Sequence, residues 1–214
     1  MARGTRERIL EIAEAAVLAK GFAATSIEEV IAEAGITKSG FFYHFKDKNE
    51  LAHEMLRRYV ASDERLLDDV FRRAAELSED PLQSFLIAIK LIAELMSDLP
   101  GGHPGCLIAS ICYQERLFDR EVVELNRQAL ANVNRRFREQ IALVAADYPP
   151  REPIDLDTVA EMFSCIVDGA IIMAKVLDDP ARLVRQILAY RAFVKALFTP
   201  QPVTAYVPYP IAAE

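Results

Sequence analysis

The stretch Gly35-Ile36-Thr37-Lys38-Ser39-Gly40-Phe41-Phe42-Tyr43-His44-Phe45-Lys46-Asp47 decides how this chain is read. It opens on a glycine turn, continues as a helix of about two turns and stops at a Lys46-Asp47-Lys48 cluster. An isolated helix shorter than about 12–15 residues is marginal in water, because nucleation is costly. Neighbouring elements must therefore brace it. Ile36, Phe41 and Phe45 can point inward, which leaves Thr37, Lys38, Ser39, Gly40, Phe42, Tyr43 and His44 facing out. Hydroxyls, a lysine and aromatic rings on one face suit a DNA groove: Lys and Thr reach base edges, while Tyr, His and a helix N-terminus meet phosphates. Gly40 costs roughly 1 kcal/mol against Ala inside a helix, a cost expected where backbone approaches DNA closely.

The upstream pattern supplies a brace. Thr25-Ser26-Ile27-Glu28-Glu29 reads as a helix start, with Ser26 three residues before Glu29 as a capping box. Ile27, Val30, Ile31 and Ala34 then form one apolar face, and Gly35 ends the helix. Helix, glycine turn and second short helix make helix-turn-helix spacing. A first helix over residues 3–20 presents Ile9, Ile12, Ala13, Ala16 and Ala19 as its buried side and closes at Gly21. Its arginines Arg3, Arg6 and Arg8 fit either a solvated helix start or phosphate contacts.

These residues resemble the TetR family of transcriptional repressors. The resemblance runs over Thr5-Arg6-Glu7-Arg8-Ile9-Leu10, Gly21-Phe22, Thr25-Ser26, Ala34-Gly35-Ile36 and Phe41 through Leu51. It implies a recognition helix at about residues 37–44, with phosphate contacts from Thr25, Tyr43, His44 and Lys48. Phe42 stands where a tyrosine is common in the family, which removes a hydroxyl contact but keeps a ring for sugar or a thymine methyl.

Composition bounds the rest. The 214 residues are 52% hydrophobic and 27% charged, enough for a substantial core under a soluble surface. No apolar run approaches the roughly 18 residues of a membrane span, and the start lacks a signal-peptide core, so a cytoplasmic protein with no membrane partner is expected. Three cysteines do not make a disulfide framework. The net charge of −7 looks wrong for a DNA binder until it is divided. Residues 1–58 carry nine Lys and Arg against nine Asp and Glu, and residues 36–48 carry three lysines against one acid. The acidic excess thus lies outside the DNA-binding candidate, and the local balance is positive where phosphate would lie.

Beyond residue 47 the pattern stays helical. A fourth helix reaches about Glu76 and is the expected lever to the rest of the chain; Lys48 at its start opposes the macrodipole, which an anion bound there would explain. Further helices are expected over residues 82–99, 106–114, 119–146, 155–177 and 180–198, with no alternating strands, repeats or low-complexity tract. The fold class expected is all-α with about nine helices: a three-helix helix-turn-helix DNA-binding domain at 1–54, a helical effector-binding and dimerisation domain at 55–198, and a proline-rich arm at 199–214 packed on the body or a partner subunit. The last two helices carry much apolar surface, with Gly169, Ala170 and Ala174 permitting close approach. The resemblance implies a two-fold four-helix dimer interface there, with Val159, Gly169, Ala170, Leu183, Ile187 and Val194; an ordinary intrachain core is the competing assignment.

The resemblance also places a small-molecule effector in the C-terminal domain. A pocket is mostly apolar with a few polar groups, and its candidates are Phe85, Ile89, Ile92, Met96, Ile111, Tyr113, Phe137, Met162, Phe163, Ile166 and Met173. Cys106 follows Gly105 at a helix start, where the dipole lowers a thiol pKa. Gly105-Cys106-Leu107 and the Gly169 to Lys175 segment resemble the electrophile- and oxidant-responsive branch of the family, which implies a Cys106 sensor assisted by Lys175; an inert buried cysteine is the alternative. His103, Cys106 and Cys112 lack a fourth ligand for zinc, and no phosphate loop, paired-histidine helix or nucleophile elbow marks an enzyme. Neither metal nor cofactor is expected. The expectation is a homodimeric, ligand-responsive, non-enzymatic repressor on a pseudo-palindromic double-stranded operator. The alternative is a helical small-molecule-binding protein or enzyme whose N-terminal bundle docks protein.

Overall fold

A computed structural model of the chain describes residues 4–199, so the expected arm after Thr199, and Arg3, lie outside the described residues. The described residues form nine α-helices and no strand: α1 (Thr5–Lys20), α2 (Ile27–Ala34), α3 (Lys38–His44), α4 (Lys48–Leu77), α5 (Pro81–Ser97), α6 (Leu107–Cys112), α7 (Arg120–Asp147), α8 (Leu156–Val176) and α9 (Ala181–Phe198), with a 3-10 turn at Glu115–Leu117. Most begin where a short polar side chain can satisfy the free N–H groups of the first turn. Ser26, Thr37, Asp47, Asp80, Asp119 and Asp155 all accept such a bond. Only half of the expected capping box forms: Ser26 Oγ accepts from Glu29 N, while the Glu29 carboxylate pairs with Lys20. Gly35 ends α2 at φ 63°, with its own N–H on Ala32 O and that of Ile36 on Ile31 O, the paired bonds of a Schellman turn.

Two apolar clusters organise the helices. The first gathers Ile9, Leu10, Ala13 and Val17 of α1, Val30 and Ala34 of α2, Phe41, Phe45 and the start of α4. Leu10 and Val17, rather than Ala16 and Ala19, complete the buried face of α1, because the larger side chains reach the α4 surface. This cluster does not stop near residue 54: Met55 and Leu56 join it, and so do Leu107, Ile111 and Val122 from α6 and α7. The second cluster holds the rest of α4 with α5, α7, α8 and α9, centred on Phe137, which stacks on Phe163 at 4.0 Å and meets Phe71 and Phe85 edge-on.

The second cluster corrects the expected dimer residues. Val159, Ala170, Leu183, Ile187 and Val194 are all buried within the single chain. Both α8 and α9 are apolar on more than one side, so periodicity did not separate the inward side from the outward one. The outward apolar side is formed by Ile172, Met173, Val176, Leu177 and Leu188, beside Gly169, where an added Cβ would meet nothing within 4 Å.

A polar seam joins α1 to α4. Arg58 bonds Glu7 at 2.5 Å and Glu14 at 3.1 Å and lies 3.8 Å from Glu11. Burial holds the Glu14 carboxyl above its ordinary pKa despite Arg58. Replacing Arg58 with Ala leaves three neighbouring carboxylates without their shared cation, and we expect a loss of about 1–3 kcal/mol at neutral pH. Thermal melts from pH 7.5 to pH 4.5 check this: the deficit should shrink on acidification, as Glu14 and its neighbours take up protons, and a pH-independent deficit would contradict it.

Candidate nucleic-acid interface and effector cavity

The recognition segment is built as a short helix clamped from beneath. Phe41 and Phe45 are buried in the first cluster with ring centroids 5.6 Å apart, and Ile36 is half-buried. The opposite side carries Lys38, Ser39, Phe42 and Tyr43, the last 85% exposed. His44 is half-buried against Tyr43, centroids 5.0 Å apart. Lys38 Nζ is 3.6 Å from Glu28, an exposed pair of little net worth. That weak pairing leaves the ammonium free to exchange its partner for a phosphate.

Three expected contacts have other duties here. The Thr25 hydroxyl is buried and donates to Gly21 O at 3.0 Å, locking the turn after α1. Lys48 Nζ donates to Phe22 O at 2.6 Å and sits 4.2 Å from the Phe22 ring centroid. This carbonyl and ring hold the lysine at the N-terminus of α4, and burial lowers its pKa. Thr37 caps α3 by accepting from Gly40 N, and a Cβ on Gly40 would lie 3.3 Å from the same hydroxyl. Arg6 pairs with Glu54 and Arg8 reaches Glu33 O at 3.4 Å, so both brace the bundle internally.

A second site lies between α4, α5, α7 and α8, under α6. It is a cavity of about 150 Å³ with walls from Leu66, Ile92, Met96, Val133, Phe163 and Ile171 and polar groups from Tyr59, Asp63, His103, Cys106, Ser164 and Asp168. Of the expected effector residues, Met96, Phe163, Cys106 and Ile92 line it. Phe85, Ile89 and Phe137 are buried in the second cluster, Met162 and Ile166 pack at its margin, and Met173 is exposed. Ile111 belongs to the first cluster, and Tyr113 is 78% exposed on a different surface, beside Ala23 and Gln114.

The thiol at Cys106 is not activated. Burial, with the Asp168 carboxylate beside it, pushes its pKa up to about 12, although Sγ accepts from Ala109 N at 3.4 Å. Lys175, expected to stabilise a thiolate, donates instead to Pro104 O. The short α6 exerts little dipole, and a neighbouring carboxylate opposes the charge that a sensor would need. Asp63, Asp168 and Tyr59 are not among the expected effector residues, and His103 enters only as an incomplete metal ligand. Asp168 alone left a trace in the sequence, as a single acid within the apolar run from Phe163 to Met173.

The two sites are connected. Helix α6 places Leu107 and Ile111 in the first cluster and Ile108 on the cavity wall. Just beyond it, Gln114 Oε1 accepts from Ala23 N at 3.0 Å, between α1 and α2.

A helix-turn-helix whose second helix shows its polar and aromatic side outward, joined to a helical body, defines a DNA-binding transcriptional regulator. The chain matches the bacterial regulatory proteins of the tetR family over residues 9–55. It is 27% identical to the probable HTH-type transcriptional regulator ArpR of Pseudomonas putida over 85% of each chain, and 28% identical to the HTH-type transcriptional regulator TtgR of Pseudomonas putida over 59% of this chain and 58% of that one. The fold is shared with a TetR-family regulator from Agrobacterium tumefaciens (TM-score 0.75, 18% identity, covering 91% of this chain and 98% of that one) and with reduced E. coli NemR (TM-score 0.71, 17% identity, 92% and 98%). As a family these are regulators of transcription rather than enzymes. No helix among the described residues is long and apolar enough to cross a membrane.

Asp63 supplies a pH test. Burial, with Glu14 nearby, raises its pKa from 3.8 to about 6. A carboxyl whose folded pKa exceeds its unfolded value destabilises the fold when ionised: the penalty is absent below about pH 4, grows through the window and is complete above about pH 6. Asp63→Asn should therefore raise the melting temperature at pH 7.5, by about 2–4 °C for each kcal/mol relieved. The gain should vanish near pH 4; an equal gain at both pH values would rule out the ionised carboxylate as its source.

Proposed function

We propose that the protein is a homodimeric repressor whose paired α3 helices enter successive major grooves of a pseudo-palindromic operator and which leaves that operator when a small molecule occupies the cavity. The exposed Lys38, Ser39, Phe42 and Tyr43 on a helix held by buried Phe41 and Phe45 carry the DNA reading. In a dimer the recognition helices must lie about 34–36 Å apart to meet one face of B-form DNA. Ile172, Met173, Val176, Leu177 and Leu188 supply the dimer surface; a contiguous exposed apolar patch on a soluble chain needs a cover. We assign residues 1–54 to DNA binding and 55–198 to effector binding and dimerisation, with α6 crossing between their cores. Filling the cavity biases the position of α6 and α4, and hence the spacing of the α3 helices, by population shift.

Gel shifts with DNA flanking the reading frame test the interface. Tyr43→Ala and Lys38→Ala should each weaken binding by about 1–3 kcal/mol, and Lys38→Ala should flatten the salt dependence; undiminished affinity in both variants would reject α3 as the reader. Sedimentation tests the assembly: the surface double variant Ile172→Glu, Val176→Glu should be a folded monomer, and a persistent dimer would move the interface elsewhere.

A further inference from the structure

We infer that the effector is a small organic cation, with an apolar body about the size of one aromatic ring and a charged nitrogen held by Asp63 and Asp168. This rests on the effector reading of the cavity and adds the chemical class. A cavity of about 150 Å³ takes a benzene-sized molecule, and Ile92, Met96, Val133 and Phe163 give it apolar walls here. Into these walls α4 sends Asp63 and α8 sends Asp168.

Among the described residues, the cations around the cavity are committed elsewhere. Arg58 is shared by Glu7, Glu11 and Glu14. Arg136, which borders a small neighbouring void with Asp63, bonds Glu64 O and Asp68. Lys175 donates to Pro104 O and its charge acts on His103; among the described residues it forms no ion pair with Asp63 or Asp168. His103 does not compensate either: its Nδ1 accepts from Gly105 N at 3.2 Å, and burial and Lys175 hold its pKa below the ordinary value, so the ring is neutral. Glu14, although bonded to Arg58, still acts on Asp63 as a like charge. Among the described residues, the neutral Cys106 thiol is a side-chain donor to Asp168.

A half-buried carboxylate without an ion-pair partner is costly, and a ligand that brings a cation gains the attraction that the protein itself forgoes. A hard metal ion does not fit, because it takes six or more oxygens, and no group of three or more His, Cys, Asp or Glu suited to a metal occurs among the described residues. An anion would meet two like charges. An ammonium carried on an apolar ring satisfies walls and carboxylates together.

Isothermal titration of the full chain with three probes of one size tests this: benzyltrimethylammonium, neutral N-benzylacetamide and anionic phenylacetate. The cation should bind at least about tenfold more tightly than the neutral probe, and phenylacetate more weakly than either. Asp63→Asn and Asp168→Asn should each cost the cation about tenfold and leave the neutral probe unchanged, with Asp63→Glu and Asp168→Glu retaining cation preference. Melting curves without ligand establish that each variant is folded. Equal affinity for cation and neutral probe, or Asn variants that bind the cation as the parent does, would overturn the cation assignment while leaving the cavity as an effector site. Binding of none of the three probes would overturn both.

Discussion

Seven residues cannot hold a helix by their own hydrogen bonds, and α3 exists because Phe41 and Phe45 are driven out of water into the space between α1, α2 and α4. That burial fixes which side chains remain outside. With a period of 3.6 residues and two rings pointing inward four positions apart, Ser39 and Tyr43 fall on the opposite side and Phe42 on its flank, while Lys38 is exposed at the first position of the helix. The surrounding polar bonds serve the same clamp: Thr25 closes the turn after α1, Thr37 caps α3, and Lys48 ties the start of α4 to the Phe22 carbonyl. Several side chains that would suit phosphate are thereby spent on holding the reader in place.

The same economy governs the link to the body. Helix α6 has only six residues, yet its two sides belong to different cores: Leu107 and Ile111 to the DNA-binding bundle, Ile108 to the cavity wall. An element with no core of its own moves with whichever neighbour moves. Arg58 and Gln114 add polar ties between the two regions, from α4 to α1 and from the 3-10 turn to the α1–α2 connection. On the function proposed above, coupling needs no long relay, since the cavity and the recognition bundle share α6 as a wall.

The cavity also shows how context sets chemistry. Cys106 caps α6, a place that ordinarily favours a thiolate, but the apolar surroundings and Asp168 favour the thiol. His103 is kept neutral by burial and by Lys175. The charged side chains that line the cavity are the acids Asp63 and Asp168.

The helix-turn-helix was legible in the chain itself, because helix starts, the glycine stop, periodicity and the inward pair Phe41 and Phe45 are local properties of consecutive residues. So were the all-α class and nearly all the breaks between helices. The partner of each side chain was not legible. Whether Val159 or Val176 faces the core, whether Lys48 meets phosphate or the Phe22 carbonyl, and whether Asp63 and Asp168 converge depend on how helices distant in sequence pack together. Periodicity tells which residues share a side of a helix; only the tertiary packing decides which side is covered, because that is set by the total apolar area that several helices can remove from water at once.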